Sequence, residues 1–494
     1  MKQIKAYKIT IYIAVVLLLL APVVIFQPEE GWKIAGLEIK FLSWDNFLVP
    51  LVQDKADVSD IENTDISMDE DIIEDFTTIH QNGSNGDMGA PNGGEITEES
   101  STELLMDETG LANLHKFFST LSNVASKKEK ISILHYGDSQ IEGDRMTGYL
   151  RQKIQNQFGG NGPGLIPATN VYNTNAFIQT FSENFERFTC FGGQKLSDNN
   201  YGVMASASRF TPEYILDSTV VLDTLVDLTG WIEIQPSVSS YYDRRRKYNN
   251  VALHYNGCIA ATKLNVYQDG LLIHEEELIV DGAQHAFNLS FPETPGALKY
   301  EFIGKISPNI CAFSLEGDYG VQVSNIGMRG SSGTVFRKMQ QTGLQSMYNE
   351  LNTRLVIMQF GGNSVPSFKD STGVEGYADY FKSQINKVKA LNPNAMVIVI
   401  GPSDMSKLEE EIYSTYPLLP YCVERMREVT KSAGGAFWNL YAAMGGENSM
   451  PAWIDKGWAG SDHIHFSPSG AQIAAQLFYE AFIAEYAKWK NGQE

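Results

Sequence analysis

Two rhythms of apolar and polar positions divide this chain. Up to residue 174, and again from 321, apolar runs of strand length alternate with segments of helical period. LANLHKFFSTLSNVA has helical spacing, ISILHYG reads as a buried strand, and DRMTGYLRQKIQNQF reads as an amphipathic helix ended by Gly159-Gly160. Beyond 321 the strands are VQVSNIG, LVIMQFG, AMVIVIG and GAFWNLY. The helices are TVFRKMQQTGLQSMYNEL, VEGYADYFKSQINKVKAL, the segment around YCVERMREVTKSAG, and SPSGAQIAAQLFYEAFIAEYAKW. Strands alternating with helices predict an α/β domain whose parallel sheet is covered by helices on both faces. Between 175 and 320 the period falls to two. NVALHYNGCIAATKLNVYQDGLLIHEEELIVDG and ALKYEFIGK alternate polar and apolar residues between Asn-Gly and Asp-Gly turns, the pattern of an antiparallel β-sandwich. The chain therefore reads as one α/β domain, 109–174 and 321–494, interrupted by a β-sandwich at 175–320.

Residues 1–108 follow neither rhythm. Lys2, Lys5 and Lys8 precede ITIYIAVVLLLLAPVVIF, residues 9–26, which carry no charge. As a helix this run spans roughly 27 Å, close to a bilayer core. The lysines favour an N-terminus left in the cytoplasm. With no clear A-x-A cleavage site following, residues 1–30 are read as an uncleaved anchor in preference to a removed signal peptide. The expectation is a single-pass inner-membrane protein with its body on the outer, periplasmic side. Residues 31–108 are read as an acidic, disordered tether centred on QNGSNGDMGAPNGGE.

The tether also explains the charge. The chain of 494 residues has a formal net charge of −21, and between Asp54 and Glu108 seventeen acidic residues face one lysine, Lys55. The rest is only mildly acidic, and nothing favours nucleic acid as a partner. No pair among Cys190, Cys258, Cys311 and Cys422 has a CxxC spacing, which argues against zinc and thioredoxin-like chemistry. A disulfide among Cys190, Cys258 and Cys311 and free buried thiols both remain open.

Ser139 follows the strand ISILHYG, in Gly137-Asp138-Ser139-Gln140. Alone it is either a nucleophile or a helix cap. A nucleophilic serine needs a base, a group to orient the base, and donors where negative charge develops. Asp462 and His465, three apart in SDHIHFSPSG, can face the same way just before a helix; alone they read equally as a surface pair. Gly330 in VSNIGMRGSSG and Asn363 in LVIMQFGGNS offer a turn amide and a side-chain amide after strands, or serve turn geometry and capping alone. Together these positions fall at the carboxyl ends of parallel strands, the edge where ligands bind in open sheets.

In this combination the residues resemble the SGNH (GDSL-type) hydrolases. Gly137-Asp138-Ser139, Gly330, Gly361-Gly362-Asn363-Ser364 and Asp462-His463-Ile464-His465 follow the family's block order over roughly 109–170 and 321–494. The resemblance implies a flavodoxin-like parallel sheet and a Ser139–His465–Asp462 triad. It also implies an oxyanion hole from Ser139, Gly330 and Asn363, with no metal or cofactor. Ser364 stands where the family usually has Asp, and about 190 residues separate the first two blocks, the sandwich filling the gap. With the anchor, the chain looks like envelope members acting on O-acetyl groups of peptidoglycan. The expected substrate is an acylated glycan; the alternatives are an O-acetyltransferase using the same acyl-enzyme and a non-catalytic glycan-binding protein. His463 is a second candidate base, although the motif register favours His465. Trp453 and Trp458 are candidates for a sugar site or for core packing. Tyr241, Tyr242 and Arg244-Arg245-Arg246-Lys247 offer either glycan contacts or a solvated loop.

Overall fold

In the computed structural model, which describes residues 32–34, 37–39, 55–62, 64, 103–214, 222–239, 242–409 and 411–493, the strand–helix rhythm becomes a five-stranded parallel sheet. Its strands are β1 (Lys130–Gly137), β2 (Gly320–Gly327), β3 (Thr353–Gln359), β4 (Met396–Ile400) and β5 (Ala436–Trp438), in the order β2-β1-β3-β4-β5. Gly137 pairs with Gly327 and Gln359, Gln359 with Ile400, and Ile400 with Trp438, so all five strands end in one row. The order reverses at β1, and the crevice between the carboxyl ends of β1 and β3 is the switch point at which doubly wound sheets bind ligands.

Alternation along each strand supplies two cores. Ile131, Ile133, Leu355, Ile357 and Ile398 face α1 (Glu108–Lys127), α2 (Thr147–Phe158) and the last long helix, Pro468–Asn491. Leu134, Tyr136, Val356, Met358, Val397 and Val399 face the helices Gln341–Glu350, Ser371–Leu391 and Leu419–Ser432. Each such aliphatic side chain contributes about 1.5–3 kcal/mol on burial, which pins the register and hence the shared edge.

The interruption is a sandwich of two antiparallel sheets. One runs Leu271–Glu277, Thr262–Gln268, Leu298–Gly304, Leu228–Pro236, Phe177–Phe181. The other runs His285–Ser290, Asn250–Asn256, Asn309–Glu316, Ser206–Arg209, Glu186–Thr189. Phe210, Ile232, Leu253, Tyr300, Phe302 and Phe313 fill the space between them. Gly164–Pro167 also pairs with Asn309–Glu316, so the sandwich takes a short strand from before residue 175. After Glu316 the chain turns and enters β2 directly.

Four expectations need comment. The apolar run 9–26 lies outside the described residues; among those described, no helix is long and apolar enough to cross a membrane. Part of the expected tether is packed: Val58 and Ile61, three apart around a short helix at Ser59–Glu62, are buried with Leu440 and Met444. Leu105 likewise bridges Phe437. All four cysteines are free and buried. Finally, Arg244 and Arg245 are held by contacts within the protein, whereas Lys247 is exposed. The Arg244 guanidinium donates to Asn156 Oδ1 (2.6 Å) and to the Gly160 carbonyl (3.1 Å). Arg245 is buried over the ring of Tyr242, itself a core residue, while Tyr241 lies outside the described residues.

Candidate active site

The turn that carries Ser139 begins where β1 runs out. A Cβ on Gly137 would lie 2.9 Å from the Ile141 side chain and 3.2 Å from the Gln359 carbonyl, so glycine lets the chain turn against β3. Asp138 then builds an Asx turn, its Oδ1 accepting from the Gln140 N–H at 2.9 Å, while its Oδ2 accepts from Asn363 Nδ2 at 2.9 Å. Burial pushes the Asp138 carboxyl up to about 6, against the Gln140 N–H, the His465 charge and the Asn363 amide. Ser139 caps no helix, because a short 3₁₀ turn occupies Glu142–Asp144 and α2 begins only at Thr147. The expected helix start near Asp144 is late by three residues, which leaves Ser139 half-buried on a free-standing turn.

The loop before the last helix brings the other two groups. Ser139 Oγ lies 2.8 Å from His465 Nε2, and His465 Nδ1 lies 2.6 Å from Asp462 Oδ2. Asp462 Oδ1 accepts from the backbone N–H groups of His465 (3.0 Å) and Ile464 (3.1 Å), so the acid fixes both the ring and the loop that carries it. Burial raises the Asp462 carboxyl, but the hydrogen bonds from His465 and Ile464 outweigh it and hold the group below its ordinary value. An ionised acid on Nδ1 selects the tautomer whose Nε2 accepts from the serine hydroxyl. Ser467 closes the loop by capping the final helix, accepting from the Gly470 N–H at 3.2 Å, with Pro468 at its first turn.

Two residues that the sequence reading passed over tie these loops together. Gln140, buried beside Ser139, donates from Nε2 to the Ile464 carbonyl (2.6 Å) and to Ser403 Oγ (3.2 Å); its Oε1 accepts from the Phe466 N–H (3.2 Å). It thus holds the peptide groups on both sides of His465. Arg145 donates to the carbonyls of Ser139, Phe466 (3.2 Å) and Glu142 (3.0 Å). The only sequence signal was a glutamine directly after the serine, where a core-facing turn would ordinarily carry an apolar side chain.

Gly330 and Asn363 stand on the wall of a cleft of about 550 Å³ together with Ser139, His465, Arg145, Arg329, Pro402 and Met405. Gly330 has φ +75° in the Met328–Ser331 turn, a conformation that favours glycine. Asn363 sits in the 3₁₀ turn Gly362–Ser367. Its amide donates to Asp138 Oδ2 and, at 3.2 Å, to the Ser331 carbonyl. Both of its donated hydrogen bonds stay within the protein. Ser364 is buried at the base of the same turn.

The remaining candidates lie elsewhere. Trp453 is wholly buried, its indole N–H donating to the Met444 carbonyl at 2.9 Å. Trp458 packs edge-on against it at 5.5 Å and lines no part of the cleft. Trp453 is thus a core residue beneath the loop that carries Asp462 and His465, and Trp458 packs half-buried beside it. His463 stacks on Tyr413 with ring centroids 3.4 Å apart. Tyr413 belongs to a hairpin, Ser406–Glu409 with Ile412–Thr415, that the apolar pattern did not predict. Among the described residues, no group of three or more His, Cys, Asp or Glu side chains is arranged to hold a metal ion.

No family model and no curated protein sequence matches the chain. Solved structures do. One described as "Peptidoglycan O-acetylesterase in action, 5 min" is 21% identical, with a TM-score of 0.58 over 76% of this chain and 96% of that one. A putative GDSL-like lipase from Parabacteroides merdae is 15% identical over 33% of this chain and 73% of its own, with a TM-score of 0.26. A family two carbohydrate esterase from Clostridium thermocellum, solved with cellohexaose, is 12% identical over 62% and 99%, with a TM-score of 0.25. The first of these shares the fold over 76% of this chain. In fold, as in the order of its motifs, the chain resembles the SGNH (GDSL-type) hydrolases.

Proposed function

We propose that this protein is a serine esterase that removes O-acetyl groups from a cell-envelope carbohydrate polymer, with peptidoglycan the leading candidate. The observation that carries the reading is the unbroken path from Ser139 Oγ through His465 to Asp462, at 2.8 and 2.6 Å, opening onto a cleft. The fold shared with a peptidoglycan O-acetylesterase supports the choice of ester. The envelope location rests on the charge-free run 9–26 behind Lys2, Lys5 and Lys8.

Ser139 Oγ attacks the ester carbonyl carbon as its proton passes to His465 Nε2. Asp462 keeps the resulting imidazolium oriented and neutralised. The carbonyl oxygen becomes an oxyanion held by the backbone N–H groups of Ser139 and Gly330 and the amide of Asn363. Collapse expels the sugar alkoxide, which takes the proton from His465 and leaves an acetyl ester on Ser139. Water, activated by the now neutral His465, attacks that ester. Acetate departs and the proton returns to Ser139.

The test is acetate release from O-acetylated peptidoglycan and turnover of p-nitrophenyl acetate by the purified protein, together with fluorophosphonate labelling mapped by peptide mass. Adduct formation at Ser139, blocked in His465→Ala, is expected. An unlabelled Ser139, or acetate release unaffected by Ser139→Ala, would sink the assignment.

A further inference from the structure

We propose that a strip running from the cleft onto the sandwich, formed by Arg329, Tyr172, Arg187 and Phe191, binds a carboxylate-bearing unit of the glycan whose ester reaches Ser139. The substrate is then an acidic polysaccharide, an assignment that rests on the esterase reading above.

The strip is continuous. Arg329 lines the cleft with Ser139, and its guanidinium lies 5.3 Å from the centre of the Tyr172 ring. The Arg187 guanidinium lies 6.0 Å from the same ring and 5.9 Å from that of Phe191. Arg329 follows β2 of the parallel sheet, whereas Arg187 belongs to the edge strand Glu186–Thr189 of the sandwich. The strip therefore gives the inserted module a direct part in reading the substrate.

The two arginines differ in how their charge is met. Arg329 is paired with Glu142 and so is already neutralised. Arg187 makes no ion pair among the described residues, and its polar partner is Tyr172. The carboxylate next to it in sequence, Glu186, instead accepts from Gln194. Burial pushes the Arg187 guanidinium down, which is the cost of holding a cation without an anion. Arg187 also lines a cavity of about 60 Å³ with Thr169, Asn170, Tyr172 and Asn325, together with Glu142, Asp144 and Arg151; Arg329 pairs with the first of these carboxylates and Arg151 with the second. About 10–15 Å³ of such volume suffices for one water, so there is room for a carboxylate group. A guanidinium fork matches a carboxylate in two parallel hydrogen bonds. The half-buried ring of Phe191 continues the strip with an apolar face suited to the C–H face of a sugar.

The experiment is calorimetry on the full chain carrying Ser139→Ala, with tetragalacturonate as the acidic probe and xylotetraose as the neutral one. Tetragalacturonate is expected to bind at least about tenfold more tightly, the worth of one charge-assisted pair. The preference should shrink when salt is raised from about 0.05 to 0.5 M, an arm that leaves Arg187 intact. Adding Arg187→Met should abolish the preference, and Arg187→Lys, which keeps charge without the fork, should retain part of it. Equal affinity for the two probes, no binding of tetragalacturonate, or a preference that survives both high salt and Arg187→Met would overturn the proposal. Failure of the esterase reading would appear separately, as a wild-type protein that does not hydrolyse p-nitrophenyl acetate while the binding preference stands.

Discussion

Among the described residues, a serine, a histidine and an acid come together in two places, and these are not equivalent. At the carboxyl edge of the sheet, His465 has Ser139 at 2.8 Å on one ring nitrogen and Asp462 at 2.6 Å on the other. At the junction with the sandwich, His254 Nε2 has Ser314 Oγ at 3.0 Å, while Glu350 stands 3.7 Å from Nδ1, beyond hydrogen-bond reach. The serine–histidine contact is nearly the same, yet everything around it differs. Ser139 stands on a turn past the end of β1, beside the cleft that Gly330 and Asn363 also line. Ser314 lies within the strand Asn309–Glu316, whose backbone pairs with neighbours on both sides, so no amide beside it is free to meet an oxyanion. A relay becomes a candidate site through the turn that exposes it, the donors around it and the tightness of its acid.

The sharpest way to break that distinction is to remove each serine in turn. Ser139→Ala should lower p-nitrophenyl acetate turnover by at least about 10⁴-fold and abolish fluorophosphonate labelling. Ser314→Ala should leave both unchanged. A residual adduct mapping to Ser314 in the Ser139→Ala protein would show that the junction constellation also reacts.

The donors come next in size. Asn363→Ala should reduce kcat by about 10²–10³-fold, the usual loss for one oxyanion donor, with little change in KM for p-nitrophenyl acetate. A fall of less than threefold would mean that Asn363 serves only to hold Asp138 and Ser331, the two partners its amide contacts in this structure.

The sequence carried this site unevenly. Ser139, Asp462 and His465 were legible because a strand end and a helix start fix where such residues fall, and their order along the chain restricts what they can meet. The parallel sheet and the sandwich were legible from the change of period near 175 and 320. Gln140 and Arg145 were not, because their partners are backbone carbonyls and N–H groups of a loop more than 300 residues away, and backbone groups have no sequence signature. Trp453 and Trp458 fitted a sugar site as well as a core, and only burial separates the two. The hairpin around Tyr413 escaped because its strands are four residues each, too short for a period to register.

A third histidine sharpens the comparison through pH. His135 lies on β1 before the turn that carries Ser139, wholly buried between Gln359 Oε1 (3.1 Å) and Thr147 Oγ1 (3.0 Å). Burial pushes it down from 6.5 to about 4, against the Gln359 hydrogen bond. Below pH 6.5 the unfolded chain takes up a proton here that the folded chain refuses until about pH 4. Its contribution to stability is therefore present above that window and lost as pH falls through it. Asp138 and Asp404, both raised to about 6 by burial, act in the opposite sense, since the folded chain binds their protons first. Wild type and His135→Gln share those carboxylates, so their difference isolates the histidine. Between pH 7 and 4, wild type should lose on the order of 3 kcal/mol relative to His135→Gln in denaturant titrations. A difference that does not vary with pH would show that His135 is not held neutral by its burial.

The smallest expected effect tests whether the catalytic loop is positioned or merely adjacent. Gln140 holds the Ile464 carbonyl and the Phe466 N–H, so His465 is fixed from both sides by one buried side chain. Gln140→Met keeps the volume and removes both bonds. The ring of His465 keeps Asp462 but loses its fixed approach to Ser139, and kcat should fall about tenfold, the scale of a small misplacement of a general base. KM for p-nitrophenyl acetate should hold. A purely structural role would instead lower the midpoint of unfolding while leaving the rate per folded molecule intact. Gln140→Glu separates the two further: it keeps an acceptor for Phe466 but sets a carboxylate against the Ile464 carbonyl. Its kcat, taken as a ratio to wild type at the same pH, should recover as pH falls far enough to protonate that carboxylate, which restores a donor. No comparable bracket surrounds His254, whose Nδ1 has no hydrogen-bond partner among the described residues. If Gln140→Met retained full turnover, the difference between the two constellations would rest on the acid and the oxyanion donors alone.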